Sequence, residues 1–152
     1  ILPKILKEIT VCGDPLAQAY LMDCIIQVFP DEYHIETLGI LLAVCPKLRD
    51  KVNVRTILQS LMDRLANYYA EEELLDEDDS HGVKKSVFKD AFVMFEECVR
   101  SVYNARGPKL SSKEVIRLQS ALLNFSLRCY PAELDQASRC VRTAIEYIHQ
   151  AE

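Results

Sequence analysis

A twelve-residue pattern recurs along this chain, and its spacing limits the folds open to it. Leu21-Met-Asp-Cys-Ile-Ile-Gln-Val-Phe-Pro-Asp-Glu32 aligns without gaps on Leu61-Met-Asp-Arg-Leu-Ala-Asn-Tyr-Tyr-Ala-Glu-Glu72, forty residues later. Leu122-Leu-Asn-Phe-Ser-Leu-Arg-Cys-Tyr-Pro-Ala-Glu133 continues it, displaced by 61 because an acidic run and a longer helix intervene. Each copy is an apolar helix end, an aromatic, then an acidic step. A period near forty belongs to two-helix repeats of the HEAT type, where each unit buries its apolar face only by stacking on the next. Four glycines, six prolines and 49% hydrophobic residues, with no tract of strict two-residue alternation, also favour an all-helical chain.

The expected architecture is an all-α, HEAT-like α-solenoid of antiparallel helix pairs, a single unit over 1–152 with about seven helices. These are placed near 2–12, 15–29, 35–46, 53–72, 83–105, 112–130 and 133–150. Pro3, Asp14-Pro15 and the Ser111-x-x-Glu114 capping box mark starts, whereas Gly13, Pro30 and Gly107-Pro108 mark stops. Short links make consecutive helices antiparallel neighbours. Helical spacing assigns a buried face to Leu16, Tyr20, Leu21, Cys24, Ile25 and Val28 in the second helix. The same reading gives Val87, Phe88, Ala91, Phe92, Phe95, Cys98, Val99 and Val102, then Val115, Leu118, Leu122, Phe125 and Cys129, then Leu134, Ala137, Val141, Ile145 and Ile148. Asn124 and Arg128 fall on the solvent side of their helix.

The net charge of −5 is concentrated in one place. The run Glu71, Glu72, Glu73, Asp76, Glu77, Asp78 and Asp79 holds seven acidic residues, which leaves the remainder at +2. A body so balanced lacks the basic stripe that nucleic-acid binding or adsorption to anionic lipid needs. The run reads as a solvated inter-helix loop over 71–82, and its seven acids are the candidate contact for a basic partner segment. A calcium loop fails on spacing. Starting at Asp76 places His81 where the turn glycine belongs and Val87 at the twelfth position, while starting at Glu77 corrects the glycine with Gly82 but ends on Phe88.

No catalytic constellation emerges, and no metal or cofactor is expected. The glycines are too far apart for a phosphate loop. Asp31, Glu32 and His34 read as a solvated polar step between helices. Cys12, Cys24, Cys45, Cys98, Cys129 and Cys140 show no C-x-x-C pair and read as reduced, buried thiols, the expectation for a cytosolic chain. A cysteine-dependent activity at Cys98 or Cys129 is the enzymatic alternative. The chain opens at Ile1 without methionine and closes within an expected helix, so a piece of a longer protein is the simpler expectation.

Three stretches carry a family resemblance: Asp14 through His34, Val52 through Ala66, and Leu118 through Asp135. Together they are similar, in the same order, to the large subunit of retromer, the vacuolar protein sorting-associated protein 35 family. The likeness covers roughly residues 14–69 and 112–148 and fades between about 70 and 110. It implies a non-catalytic α-solenoid scaffold, cytoplasmic and peripheral on endosomal membranes, that retrieves transmembrane cargo. It further implies an arrestin-like subunit at one end, held through a P-R-L-Y-L motif absent here, a phosphoesterase-fold subunit at the other, and sorting nexins. Membrane association would be indirect, through those partners. The order of the stretches resembles the interior of the family's N-terminal half, so neither end contact falls on a residue of this chain. The alternative is another helical-repeat transport adaptor sharing only the fold.

Overall fold

The computed structural model describes residues 1–75, 88 and 90–151. Among them stand eight α-helices and no strand: α1 (Leu2–Val11), α2 (Pro15–Val28), α3 (Asp31–Glu36), α4 (Leu38–Val44), α5 (Val54–Leu75), α6 (Ala91–Arg106), α7 (Ser112–Cys129) and α8 (Leu134–Ala151). Single 3-10 turns at Cys45–Lys47 and Gly107–Lys109 extend α4 and α6. Residues 83–87 and 89, expected to open the helix near 83–105, lie outside the described residues.

Local chemistry sets most helix ends. The Asp14 carboxylate accepts from the Leu16 amide at 2.9 Å, and Pro15 takes the first helical position, where no N–H is needed. The Ser111 hydroxyl accepts from the Glu114 amide at 3.3 Å. The reciprocal half of that capping box is not made, because the Glu114 carboxylate turns to Arg117 (3.1 Å) and Arg55 (3.6 Å). Gly107 ends α6 at φ +53°, a backbone setting that L side chains rarely adopt.

The expected helix 35–46 is two. Pro30 caps a helix that begins at once at Asp31, and Thr37 breaks it, its hydroxyl bonding back to the Tyr33 carbonyl at 2.6 Å. Asp31, Glu32 and His34 therefore do not form a solvated turn. His34 is fully buried with Nε2 2.9 Å from the Ile26 carbonyl, and Asp31 pairs with Arg64 at 3.0 Å. Both groups serve packing between α2, α3 and α5.

The helices stack in two layers. α2, α5 and α7 lie side by side in one, α1, α4, α6 and α8 in the other. Gln18 and Gln27 of α2 meet Arg49, just before α5, and Arg64 within it, while Glu114 and Arg128 of α7 meet Arg55 and Asp63 of α5, so these three helices run parallel. Arg128 is thus a strut between helices rather than a free solvent group. The three copies of the sequence pattern fall on this one layer, with Phe29, Tyr69 and Tyr130 partly buried against the core at equivalent places. The chain is an all-α solenoid in which α1 packs on α2, α3 and α4 lead into α5, α6 packs on α7, and α8 packs on α7.

Interior faces follow the expected registers. Phe88, Ala91, Phe92, Phe95, Cys98, Val99 and Val102 are buried, as are Val115, Leu118, Leu122, Phe125 and Cys129. Phe95 meets Phe125 edge-on at 5.2 Å, and Phe92 lies 6.3 Å from Tyr130. The two outermost helices differ. In α2 the buried set is Gln18, Met22, Ile25 and Ile26, while Leu16 (78%), Tyr20 (69%) and Val28 (76%) stand exposed and Leu21 partly so. In α8 Cys140 faces inward with Tyr147 beside it, and Leu134, Val141, Ile145 and Ile148 face out. A stacked helix has two sides to bury, and these two have a neighbour on only one.

Two outcomes are expected. Phe95→Ala removes a fully buried ring and destabilises the chain by about 3–5 kcal/mol, read by urea denaturation. The 152-residue chain, presenting apolar stripes at both ends, self-associates weakly on concentration. Light scattering should give a mass rising above 17.4 kDa, and Val141→Lys with Ile145→Lys should suppress the rise. A strictly monomeric profile at high concentration would overturn this.

Candidate functional site

The acidic residues singled out in the sequence divide at the end of α5. The helix continues to Leu75, so Glu71, Glu72 and Glu73 stand on its last turns rather than in a loop beginning at 71. Glu71 is exposed and Glu72 half-buried. Asp76, Glu77, Asp78 and Asp79 lie outside the described residues. Among the described residues no group of His, Cys, Asp and Glu could hold a metal ion, and no helix is long and apolar enough to cross a membrane.

Four cysteines are packed into the core. Cys98 donates to the Leu42 carbonyl at 3.4 Å and Cys45 to Leu41 at 3.7 Å. The Cys45 thiol is pushed well up by its hydrogen bond with the Cys98 thiol and by burial, and burial pushes Cys140 up to about 11. Such thiols stay protonated and are poor nucleophiles. Cys12 and Cys24 are half-buried.

Several open clefts line the stack. One of about 590 Å³ runs along α8 between Leu134, Ala137, Val141 and Ile145, and one of about 300 Å³ lies between α5 and α7 against Gln59, Asp63 and Asn124. The first lies on the outer face of α8 alone, and the second is the groove between two packed helices.

A loop between α4 and α5, Leu48 to Asn53, holds the densest buried polar chemistry. Leu48 and Val52 anchor it in the core. On one side the fully buried Gln18 donates to the Ile9 (2.9 Å) and Cys12 (3.2 Å) carbonyls and accepts from the Arg49 amide at 3.0 Å. On the other the Arg106 guanidinium donates to the carbonyls of Arg49 (3.0 Å), Asp50 (3.0 Å) and Val52 (2.7 Å). Arg106 is 8% exposed and has no carboxylate hydrogen-bonded to it, and burial pulls its pKa below the ordinary arginine range. The Lys109 ammonium, 2.6 Å from the Asp50 carboxylate, holds that group below the usual carboxylate range. Sequence reading missed Gln18 and Arg106 because polar residues were assigned to solvent. The signal available was position: Gln18 sits four residues before Met22 on the buried face.

Thiol accessibility offers a direct check. Under native conditions a maleimide followed by mass spectrometry should modify Cys12 and Cys24 and leave Cys45, Cys98, Cys129 and Cys140 protected until denaturant is added. Fast native labelling of Cys98 or Cys129 would revive a thiol chemistry.

Comparison with known proteins agrees with this architecture. A family model described as vacuolar protein sorting-associated protein 35 matches residues 1–152. Vacuolar protein sorting-associated protein 35A of Arabidopsis thaliana is 36% identical over 155 aligned positions, covering 97% of this chain and 18% of the relative. Vacuolar protein sorting-associated protein 35 of Dictyostelium discoideum is 40% identical over 138 positions, covering 91% and 16%. That of Schizosaccharomyces pombe is 28% identical over 177 positions, covering 97% and 21%. The chain thus spans about a sixth to a fifth of these relatives, and its match extends through the region where the three stretches alone show little likeness. The chain belongs to the vacuolar protein sorting-associated protein 35 family.

Proposed function

We propose that this chain is a non-catalytic spacer segment of a retromer large subunit, cytoplasmic and held on endosomal membranes through its partners. The observation carrying the reading is the continuous two-layer stack with apolar stripes on both outermost helices, in a chain matched end to end by the family. A stack of this kind transmits distance and direction. Its outer faces suit burial against further helix pairs. The part it plays in cargo retrieval is mechanical, keeping subunits bound elsewhere on the protein at a set separation. The family match over the whole chain favours this over a helical-repeat adaptor sharing only the fold.

The arrestin-like and phosphoesterase-fold subunits and the sorting nexins are the partners proposed for the full-length protein. The acids Glu71, Glu72, Glu73, Asp76, Glu77, Asp78 and Asp79 are proposed to meet a basic partner segment. A deletion of 71–82 would cut the last turns of α5, so charge neutralisation is the cleaner probe.

Affinity purification of the full-length protein from cytosol, read by mass spectrometry, should recover both end subunits. A variant carrying Asp76→Asn, Glu77→Gln, Asp78→Asn and Asp79→Asn should keep them and lose any protein held by the acidic run. Absence of both subunits from the intact bait would overturn the retromer reading, and identical recoveries from the two baits would remove the acidic contact.

A further inference from the structure

The clamp around Leu48–Asn53 joins three consecutive helix pairs through one loop. Gln18 belongs to α2 and ties the α1–α2 corner, at Ile9 and Cys12, to the Arg49 amide. Arg106 belongs to the end of α6 and takes three carbonyls of that loop. Lys109, in the turn that follows α6, adds the Asp50 carboxylate from outside, and Arg49 reaches back to the Cys12 carbonyl at 3.5 Å. Gln18 holds the α1–α2 corner locally, 9 and 6 residues back, whereas the bonds that involve Arg49, Asp50 and Val52 cross 31 to 59 residues of sequence.

Apolar contacts between helices permit sliding and rotation of several degrees, since packing angles scatter widely at similar cost. Hydrogen bonds do not, because they weaken steeply off their axis. Gln18 engages donors and acceptor together, and the Arg106 fork must meet three carbonyls from a fixed planar geometry. Rotating α2 against α5, or α6 against α5, strands buried polar groups on both sides of the loop.

We infer that Gln18 and Arg106 are positioning residues that set the angle between successive helix pairs, so that the curvature of this part of the solenoid is fixed by one polar clamp rather than by the apolar core. This rests on the spacer reading, in which geometry is the function.

The test is made in the full-length protein, with spin labels attached through a noncanonical residue at exposed positions Asp23 in α2 and Asn124 in α7. Gln18→Leu and Arg106→Leu should keep the helix content while moving or broadening the label–label distance. Gln18→Leu should also speed hydrogen exchange at the Arg49 amide. The core control Leu65→Val, buried in α5 three turns beyond the loop, should lower stability without moving the distance. Arg106→Lys, which keeps the charge without the fork, should give an intermediate shift, and it carries the test if Arg106→Leu fails to fold. Unchanged distances in the folded variants, or an equal shift in the control, would overturn the clamp. Recovery of the end subunits is measured on the same variants. Subunits retained with unchanged distances would sink the clamp alone, and loss of subunits from the unsubstituted protein would sink the spacer reading whatever the distances show.

Discussion

Each inner helix of this stack must satisfy two neighbours, its antiparallel partner and the equivalent helix of the next pair, and the rest of the molecule follows from that. α5 packs against α2 and α3 on one side and α7 on the other, which is why it buries Val54, Ile57, Leu58, Leu61, Met62, Leu65 and Ala66 around more than one face. The same demand shapes α6 and its row of phenylalanines. Where a neighbour is missing, at α2 and α8, apolar side chains stand exposed. One core runs continuously from Leu2 of α1 to Cys140 of α8, built interface by interface between neighbouring helices.

Polar chemistry divides by depth. On the surface, Arg128–Asp63 and Arg139–Glu96 each link a helix to its counterpart in the adjacent pair, and Arg64–Asp31 ties α5 to the start of α3. Pairs of this exposure contribute about 0–1 kcal/mol each and bias orientation more than they bind. In the interior, Gln18 and Arg106 are different in kind. Their side chains are buried, so losing one of their bonds to backbone strands a polar group away from water.

Legibility in the sequence varied by element. Asp14, Pro15, Ser111 and Gly107 could be read because capping and positive φ are decided within a few residues. The registers of α6 and α7 could be read because one apolar face dominates each. α2 could not, since its helix is apolar on two sides and the more apolar one, Leu16 to Val28, is the one turned outward. α8 failed for the same reason. Asp31 to His34 looked like a turn because acids at a helix start and in a solvated step are the same signal, and the burial of His34 depends on Ile26 across the α2–α3 bend. Of the acidic candidates, Glu71 to Glu73 stand on a helix that runs to Leu75, past the expected end near 72, where the sequence carries no stop signal.

The order of residues by itself determined the helical class, the forty-residue repeat, most helix ends and the family, because these depend on local propensity and on strings long enough to be specific. Tertiary structure alone decided which of two apolar faces of α2 and α8 turns inward, and that a glutamine and an arginine belong inside. Those outcomes hang on partners far away in the chain. Gln18 is buried because the Arg49 amide, 31 residues on, needs an acceptor, and Arg106 because three carbonyls more than fifty residues earlier need a donor.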